Sequence, residues 1–437
     1  MSTNDTIVAL SSAPGTAGVA VLRLSGPDAW AAALAIFTPV RGGALRAGRV
    51  RLGTVQDAKG EVLDRCLLLP FKGPESYTGE DVAEFHLHGS PWVVEQVLER
   101  LGRSCRAAEP GEFTRRALLN GKLDVAQAEG VRALIESRSR LAHRLASRAL
   151  AGDTTRKVEE LRGLLVDLLS RIEAELDFSH EEIDPAPAAS LLAWLAPVQA
   201  RLGRWLASYR IGRLAHGAEV VLAGAPNAGK STLMNALLEE DRVIVAATPG
   251  TTRDAVSQDC HIGSLLVRLW DTAGLRETDD PVERDGIGRS ERRMADADLV
   301  LYLSAPGDPP PWRLPADVPL LRVYSKADLS AAPAGELAVS ATTGQGLAEL
   351  RAAIEATLLG DPLDPEDLVV SQLRHRQLLE RALEALGRAE EGLNTNLDRS
   401  LVATDLRDAA EALGAIHGGF DVEQVLDGIF AKFCIGK

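Results

Sequence analysis

The chain has 437 residues, a formal net charge of −14 and a hydrophobic fraction of 46%. At roughly 150 residues per domain, this length predicts about three domains with ample apolar side chains for their cores. No apolar run approaches the about 18 residues of a membrane span and the N-terminus lacks a basic signal region, so we expect a cytoplasmic protein without a membrane anchor. The acidic balance argues against a broad basic surface for nucleic acid.

Residues 1–120 mix short strands with glycine and proline turns, which predicts a compact α/β domain. Within it, residues 81–88 alternate between apolar and polar side chains, so Glu84, His86 and His88 share one face of a predicted strand. Two interpretations follow: a metal site or a polar strand face. The polar face is favoured, because no further His or Cys run nearby completes a ligand set.

A helical pattern follows over residues 121–213 and resumes over 363–437, so the segment 214–362 is predicted to be inserted into a discontinuous helical domain. Arg140, Arg144 and Arg148 recur every four residues on one predicted helix face. Contact with RNA is one interpretation of this row, and a solvated helix face is the favoured one. The apolar side chains that predict one buried helix stripe are Val158, Leu161, Leu164, Leu165, Leu168, Leu169, Ile172 and Leu176.

The inserted segment opens with an apolar run that leads into the glycine-rich loop Gly224–Ser231 and then a helical pattern. This order of strand, loop and helix is typical of a P-loop that binds nucleoside triphosphates. The backbone N–H groups of such a loop face the phosphates, Lys230 reaches the terminal phosphates and the Ser231 hydroxyl ligates Mg²⁺. The loop alone does not select the base.

Two later segments predict contacts to the γ-phosphate. A buried strand ends in Asp271-Thr272-Ala273-Gly274, where the carboxylate can hold Mg²⁺ through water and Gly274 can turn its N–H to the γ-phosphate. The loop Gly250–Asp254 lies between the glycine-rich loop and this strand. A threonine there can close on the metal only while the γ-phosphate is present. We predict that Thr252 is this Mg²⁺ ligand.

A further predicted strand runs into Ser325-Lys326-Ala327-Asp328. The Asp328 carboxylate can accept both N–H donors that guanine has and adenine lacks, which favours GTP over ATP. The usual pattern is Asn-Lys-x-Asp, so with Ser325 we expect one hydrogen bond to the base or to the phosphate loop to be shortened or lost. A second loop resembles the one whose backbone amides meet the guanine carbonyl: Ser340, Ala341 and Thr342.

The residue directly after Asp-x-x-Gly, which orients the attacking water in many small GTPases, cannot do so in this chain. They place a glutamine directly after Asp-x-x-Gly, whereas this chain has Leu275, which can neither donate nor accept a hydrogen bond. The acidic segment 276–284 that follows is interpreted as a solvated loop on residue type alone. Asn227 is a candidate ligand for a monovalent cation, although residue type favours a turn role, and Arg253 or Arg276 as an internal arginine finger is the rival.

The four cysteines, Cys66, Cys105, Cys260 and Cys434, are widely separated and form no CxxC pair, so we expect reduced thiols rather than disulfides or a zinc site. Cys434 stands where a prenylation box would place it, but the terminal Ile-Gly-Lys fits that signal poorly. No lipid anchor is therefore predicted.

Several motifs together indicate a family. They are Asn4–Ile7, Ser76–Asp81, His88-Gly89, Pro110–Thr114, Asn120–Asp124, Asn227–Ser231, Gly250–Asp254, Asp271–Glu277 and Phe433–Lys437. With them the chain resembles, along its whole length, the MnmE (TrmE) family of tRNA uridine-modifying GTPases. The resemblance implies an N-terminal α/β domain that binds tetrahydrofolate and dimerises, a discontinuous helical domain, and an inserted Ras-like G domain with a mostly parallel sheet.

The resemblance also implies ligand sets. Potassium would take the place of an arginine finger, held by Asn227, Ala246, Thr248 and Thr251, and Glu283 would orient the water. Arg23, Glu84, Lys122 and Lys437 match positions that line the pocket for 5-formyl- or methylene-tetrahydrofolate, with Cys434 near the one-carbon unit. The residues predicted to contact GTP, from the motifs and the resemblance together, are Asn227, Ala228, Gly229, Lys230, Ser231, Thr232, Ala246, Ala247, Thr248, Pro249, Gly250, Thr251, Thr252, Asp271, Thr272, Ala273, Gly274, Ser325, Lys326, Asp328, Ser340, Ala341 and Thr342.

The partners implied by the resemblance are a second copy of the chain and MnmG, an FAD- and NADH-using protein. In this arrangement the G domains pair when GTP and K⁺ are bound, and a heterotetramer or larger complex adds an aminomethyl or carboxymethylaminomethyl group to the wobble uridine of certain tRNAs. The tRNA would be bound largely through the FAD protein. The main alternative is an assembly or signalling GTPase without modification chemistry, and a second is an ATPase, in which Asp328 would have no role.

Overall fold

The computed structural model describes residues 5–177, 185–239, 257–272, 291–308, 314–333, 336–360, 367, 369–418, 433 and 436. The chain divides into two compact units. The first comprises Met1–Arg132, Ala149–Val158 and Gly414–Lys437, and the second comprises Ala133–Arg148 and Glu159–Leu413. Within the described residues, no helix is both long enough and apolar enough to cross a lipid bilayer.

The first unit is built on a seven-stranded sheet, in which only the β1/β7 pair is parallel. Its strands are β1 (Ile7–Leu10), β2 (Ala17–Ser25), β3 (Phe37–Pro39), β4 (Arg51–Gln56), β5 (Val62–Phe71), β6 (Val82–Gly89) and β7 (Arg106–Ala107), with helices α1 (Ala29–Leu34), α2 (Pro91–Leu101) and α3 (Glu112–Leu119). The strand order is β3-β4-β5-β6-β2-β1-β7.

One face of this sheet forms the core of the unit. Leu22, Leu68 and Phe85 are fully buried there and pack with the apolar sides of α1 and α2. The alternation predicted for β6 is present, since Phe85 and Leu87 are buried while Glu84 and His86 are only partly covered. The predicted α/β N-terminal domain is therefore confirmed.

The next helices are α4 (Val125–Glu136), α5 (Arg140–Leu150), α6 (Asp153–Asp177), α7 (Ala188–Ala207) and α8 (Tyr209–Leu214). The predicted stripe of α6 is partly wrong. Val158, Leu161, Leu165, Leu168 and Ile172 are buried, as the three- and four-residue steps require, but Leu164 is 51% exposed and Leu176 is 36% exposed. Leu164 lies at the edge of the row that the other five define. Leu176 continues that row, four residues after Ile172, but stands one residue before the end of α6.

The inserted segment folds around a six-stranded sheet of order β13-β12-β11-β8-β10-β9, which is parallel except for the β9/β10 hairpin. Its elements are β8 (Ala218–Gly224), α9 (Lys230–Glu239), β9 (Ser257–Ile262), β10 (Leu265–Asp271), β11 (Leu299–Ser304), β12 (Leu320–Tyr324), β13 (Leu337–Ala338) and α10 (Leu347–Leu359). Residues 220–223 of β8 are fully buried, as expected for a central parallel strand covered on both faces.

Two long helices complete the chain, α11 (Leu373–Asn394) and α12 (Arg399–Gly414), and α11 packs along α7. The buried residues of α11 include Leu379, Leu386 and Leu393, at intervals of seven. The mixed α/β and helical fold class, with a mostly parallel sheet in the inserted segment, is confirmed.

Candidate active site

The glycine-rich loop after β8 has the backbone of a phosphate-binding nest. Gly224 has φ 148°, and a Cβ there would lie 2.4 Å from the carbonyl oxygen of Leu303, so only glycine fits against β11. Asn227 and Gly229 also have positive φ, 66° and 92°, and α9 begins at the next residue. These left-handed residues turn successive N–H groups to one side, where the N-terminus of α9 adds partial positive charge.

Lys230 is 7% exposed and held at the centre of this loop. Its Nζ donates to the carbonyl oxygens of Gly224 at 3.2 Å and Ala225 at 2.9 Å. Burial lowers the pKa of the Lys230 ammonium, against the attraction of Asp271 and Asp308. The cation is therefore already inside the loop that is predicted to surround the phosphates.

The predicted Mg²⁺ ligands meet because β8 and β10 are parallel neighbours whose C-terminal ends lie side by side. Ser231 Oγ donates to Asp271 Oδ2 at 2.5 Å, and Thr272 Oγ1 donates to the Leu222 carbonyl at 2.7 Å, which fixes the end of β10 on β8. The other carboxylate oxygen, Asp271 Oδ1, is buried and accepts no hydrogen bond from the described residues. These hard oxygen donors fit Mg²⁺.

The predicted base-binding segments lie at the ends of β12 and β13. Ser325 Oγ donates to the Ala228 carbonyl in the phosphate loop at 2.6 Å, with the Ser304 carbonyl at 3.1 Å. The hydrogen bond to the phosphate loop is therefore present, and the loss expected from replacing Asn by Ser does not apply to that bond. Ala327 N donates to Val339 O at 3.1 Å, which joins this segment to the second loop.

That second loop is rigid at its first residue. Ser340 is fully buried, its Oγ lies 3.1 Å from Thr342 Oγ1, and its backbone N–H donates to Gln345. Asp328 is exposed, and Lys326 has φ 57°. The Asp328 carboxylate, which is predicted to select guanine, is therefore accessible to solvent beside an ordered loop.

A second group of predicted residues lies on the face of the first sheet that is covered by Tyr77 and Phe113. The register of β2 and β6 places Arg23 opposite Glu84, and their side chains pair at 2.7 Å, each 15% exposed. The Arg23 guanidinium also lies 5.3 Å from the ring centroid of Tyr77 and 5.6 Å from that of Phe113. Two aromatic rings and a carboxylate therefore fix this cation.

Lys122 contacts the same loop that covers Arg23. Its Nζ donates to the Pro74 carbonyl at 3.0 Å, and the Tyr77 hydroxyl lies 2.9 Å from Thr114 Oγ1. Asn120 Nδ2 donates to the Thr78 carbonyl at 2.7 Å. The loop 74–80 is thus held from both sides, with Arg23 under Tyr77.

Comparison with known proteins decides the family. The model for the TrmE N-terminus matches residues 6–122, and the model for the MnmE helical domain matches residues 125–434. The tRNA modification GTPase MnmE of Methylobacterium radiotolerans is 45% identical over 451 residues, covering 100% of both chains. The proteins of the same description from Methylobacterium sp. and Thermus thermophilus are 46% identical over 444 residues and 42% identical over 455 residues, and cover 99% and 100% of this chain and 100% of their own. The chain belongs to the MnmE family.

Membership of the MnmE family makes the chain a GTP hydrolase with a role in tRNA modification. The predicted family and enzyme class are therefore confirmed. GTP hydrolysis by this class of enzyme uses Mg²⁺, and the oxygen donors of Ser231 and Asp271 described above fit this ion.

Several residues predicted for an MnmE-family site lie outside the described part of the chain and stay predictions. They are Ala246, Ala247, Thr248, Pro249, Gly250, Thr251, Thr252, Ala273, Gly274, Glu283, Cys434 and Lys437, together with the rivals Arg253 and Arg276. The structure brings together the rest in two groups, the nucleotide residues at the ends of β8, β10, β12 and β13, and Arg23 with Glu84 on the first sheet.

Tyr77 and Phe113 beside Arg23 were not predicted as site residues in this MnmE-family chain. Both belong to motifs that carried the resemblance, Ser76–Asp81 and Pro110–Thr114. The sequence did contain a signal for Tyr77, since an aromatic residue stands out in a loop of small and polar residues. Which cation it covers depends on how the loop folds back over β2, which the sequence does not state.

The other polar side chains of β6 have partners near them. His86 Nε2 lies 3.6 Å from Glu84 Oε2, and His88 Nδ1 lies 2.7 Å from Asp64 Oδ1. Among the described residues, no group of three or more His, Cys, Asp and Glu side chains has an arrangement that could hold a metal ion. Cys66, Cys105 and Cys260 are buried and form no disulfide within the described residues, and burial raises the pKa of the Cys66 thiol to about 12.

Proposed function

We propose that this chain is a K⁺-dependent GTPase that works with an FAD-containing, MnmG-type partner in the cytoplasm to modify the wobble uridine of certain tRNAs. Each added group would be aminomethyl or carboxymethylaminomethyl, its one-carbon unit coming from 5-formyl- or methylene-tetrahydrofolate. The observation that carries the proposal is the pairing of an ordered GTP site with a separate, caged Arg23–Glu84 site in a member of the MnmE family. A signalling GTPase would not need the second site.

At the GTP site, Lys230 neutralises charge on the terminal phosphates, while Ser231 and Asp271 provide oxygen donors for Mg²⁺. The Asn227 side chain is exposed at the rim of the phosphate loop, where its amide oxygen is available to a cation. K⁺ bound there would supply the positive charge that an arginine finger supplies in other GTPases. Ala246, Thr248 and Thr251 would complete its ligands, and Glu283 would orient the attacking water through a second water molecule.

At the folate site, the charges suit the ligand. The lysines, Lys122 and Lys437, attract the anionic glutamate tail of a folate, while Arg23 holds Glu84 in place for the pterin. The Glu84 carboxylate has a second oxygen beyond the one paired with Arg23, and it can accept hydrogen bonds from the N–H donors of a pterin. The first unit would also carry the homodimer contact, and most of the tRNA would rest on the FAD protein.

The rate of GTP hydrolysis in KCl against NaCl tests the proposed cation. The wild-type chain should hydrolyse GTP at least tenfold faster in KCl. Asn227→Gly keeps the positive φ of the loop, because glycine accepts it freely, but removes the amide oxygen, so this variant should lose most of the K⁺ stimulation.

The matched control is Asn396→Gly, because Asn396 is also exposed and also has positive φ, 56°, but lies far along the chain at the end of α11. It should keep full stimulation. Equal rates in the two salts for the wild-type chain would remove the potassium mechanism. Full stimulation in Asn227→Gly would reduce Asn227 to a turn residue.

A further inference from the structure

Helix α5 is a basic segment in an acidic chain. The formal net charge is −14, yet no Asp or Glu occurs between Glu136 and Asp153. Three of its basic side chains are exposed to solvent together with the arginine that precedes the helix, and Arg148 is half-buried. The exposed basic face of α5 consists of Arg138, Arg140, His143 and Arg144.

The opposite face of α5 fixes the direction in which these side chains point. Leu141, Ala142 and Ala146 are buried, and the first two belong to the same core as strands β8, β9 and β10. Ser139 caps the helix, since its Oγ accepts the Ala142 N–H at 3.0 Å. The helix therefore cannot turn its basic face inward without removing apolar side chains from the core of the second unit.

Backbone contacts hold the start of the helix as well. Leu141 N donates to the Ser264 carbonyl at 3.0 Å, and Ser139 Oγ donates to the Ala215 carbonyl at 3.0 Å. His261 Nε2 lies 2.7 Å from the carbonyl oxygen of Arg138. The basic face is thus rigid before any ligand arrives, which reduces the entropy that binding must overcome.

Fold stability does not account for the arginines. Arg140 is the first residue of α5 and Arg138 precedes it, so both place positive charge at the positive end of the helix dipole, and the first turn has no acidic residue to offset it. Across the described parts of the chain, no carboxylate forms a salt bridge with Arg138, Arg140 or Arg144. Such an arrangement favours an anionic ligand from outside.

We infer that the exposed basic face of α5 binds the phosphate backbone of the tRNA directly. Arg140 and Arg144 are four residues apart, about 6 Å along the helix axis, so their guanidinium groups can each engage a different phosphate of one strand. Backbone contacts of this kind position an RNA without reading its sequence. The exposed residues of α5 include no apolar side chain, whereas the centre of a protein interface needs them.

This inference rests on the proposed tRNA substrate and adds a contact on this chain itself. The test measures the affinity of the full-length chain for an in vitro transcript of a tRNA with uridine at the wobble position, over a range of KCl concentrations. The test variant is Arg140→Glu/Arg144→Glu. It should bind at least tenfold more weakly near 100 mM salt, and the slope of log affinity against log salt should fall by about two, one per phosphate contact.

The control is Arg322→Glu/Arg381→Glu, which makes the same charge change at two exposed arginines elsewhere in the second unit and should bind tRNA like the wild type. Arg140→Lys/Arg144→Lys should keep most of the affinity. GTP hydrolysis and thermal stability of the Glu variant should match the wild type, because neither residue contacts the nucleotide site and the reversal agrees with the helix dipole.

The inference is overturned if the α5 variant and the control bind tRNA equally, or if the α5 variant loses the FAD-containing partner while its tRNA affinity is unchanged, which would make this face a protein contact. Either result leaves the proposed function intact provided that the wild-type complex modifies tRNA. Failure of the wild-type complex to modify tRNA would instead count against the proposed function.

Discussion

Ser325 occupies the position where the base-binding motif usually has asparagine. Its hydroxyl makes the hydrogen bond to the phosphate loop, one of the two that an asparagine would make there. The single proton of the hydroxyl points to the Ala228 carbonyl at 2.6 Å, so the phosphate loop is tied to the base-binding segment. The base-binding motif, and the replacement of its asparagine by Ser325, could be recognised in the sequence. Which of the two hydrogen bonds survives could not be recognised there, because that depends on how closely the end of β12 approaches the loop after β8.

Removing the Ser325 hydroxyl should weaken GDP binding. In Ser325→Ala the Ala228 carbonyl is left without its buried donor, which costs about 1 kcal/mol, or roughly a fivefold rise in Kd. Fluorescence titration with a labelled GDP measures it. Ser330→Ala is the matched control, since it removes a hydroxyl that contacts Tyr324 at 2.6 Å and does not contact the phosphate loop.

Ser325→Asn should bind GDP more tightly than the wild type, because the amide can serve both the loop and the base. Equal affinities for the wild type, Ser325→Ala and Ser325→Asn would show that this hydroxyl does not support the nucleotide site.

Among the elements of the first unit, β7, α3 and the segment before β1 are joined by a partly buried ionic network. Arg116 donates to Asp5 at 2.6 Å and to Glu112 at 2.9 Å, and Arg106 donates to the same two carboxylates at 2.8 and 2.6 Å. Hydrogen bonding from Arg106 holds the pKa of Asp5 below its ordinary value. Burial alone would raise the pKa of Glu112, but hydrogen bonds from Arg106, the Glu109 N–H and Arg116 outweigh it and lower it.

A lowered carboxyl pKa stabilises the fold above the ordinary value of the group and ceases to do so as the pH falls through the folded-state value. The protection of the β1/β7 pair should therefore decrease as the pH drops below about 4.5, the ordinary value for Glu112. Glu112→Gln should destabilise this pair by roughly 1.5 kcal/mol at neutral pH, because a neutral amide replaces the carboxylate that Arg106 and Arg116 share, and should flatten the acid dependence.

Hydrogen exchange at the Arg106 and Ala108 amides, which donate to Thr6 and Val8, reports this pair directly. Glu109→Gln, at an exposed position in the same turn, is the control and should leave exchange unchanged. Faster exchange in both variants, or in neither, would contradict the assignment of the stability to the network.

Elements were predicted correctly where the side chains follow one period along the chain. The prediction failed where burial depends on which other element packs against those side chains. The alternation of β6 and the strand–loop–helix order at residues 220–232 were visible from the sequence, because each follows from backbone geometry alone. On α6 the excess of leucines obscured which row is buried. For α5 the periodicity identified the row of arginines but not the apolar side opposite, which the structure places in the core shared with β8, β9 and β10.

For the whole molecule, we propose that GTP hydrolysis in the second unit drives a conformational change on which chemistry at the Arg23–Glu84 site in the first unit depends. The division into an α/β domain and an inserted G domain could be predicted because glycine loops, helical periods and apolar strands change along the chain. The salt bridge between Arg23 and Glu84 could not be derived from periodicity, since more than fifty residues, including α1, β3, β4 and β5, lie between the two strands whose register pairs them.

The most direct test is reconstituted modification of a wobble-uridine tRNA by this chain with an FAD-containing partner, tetrahydrofolate, NADH, GTP and KCl, analysed by mass spectrometry of the nucleosides. Lys230→Ala should abolish GTP hydrolysis and modification together, whereas Glu84→Gln should keep GTP hydrolysis and lose modification. Modified uridine formed at the wild-type rate by Lys230→Ala, or by the wild-type chain without GTP, would contradict the account.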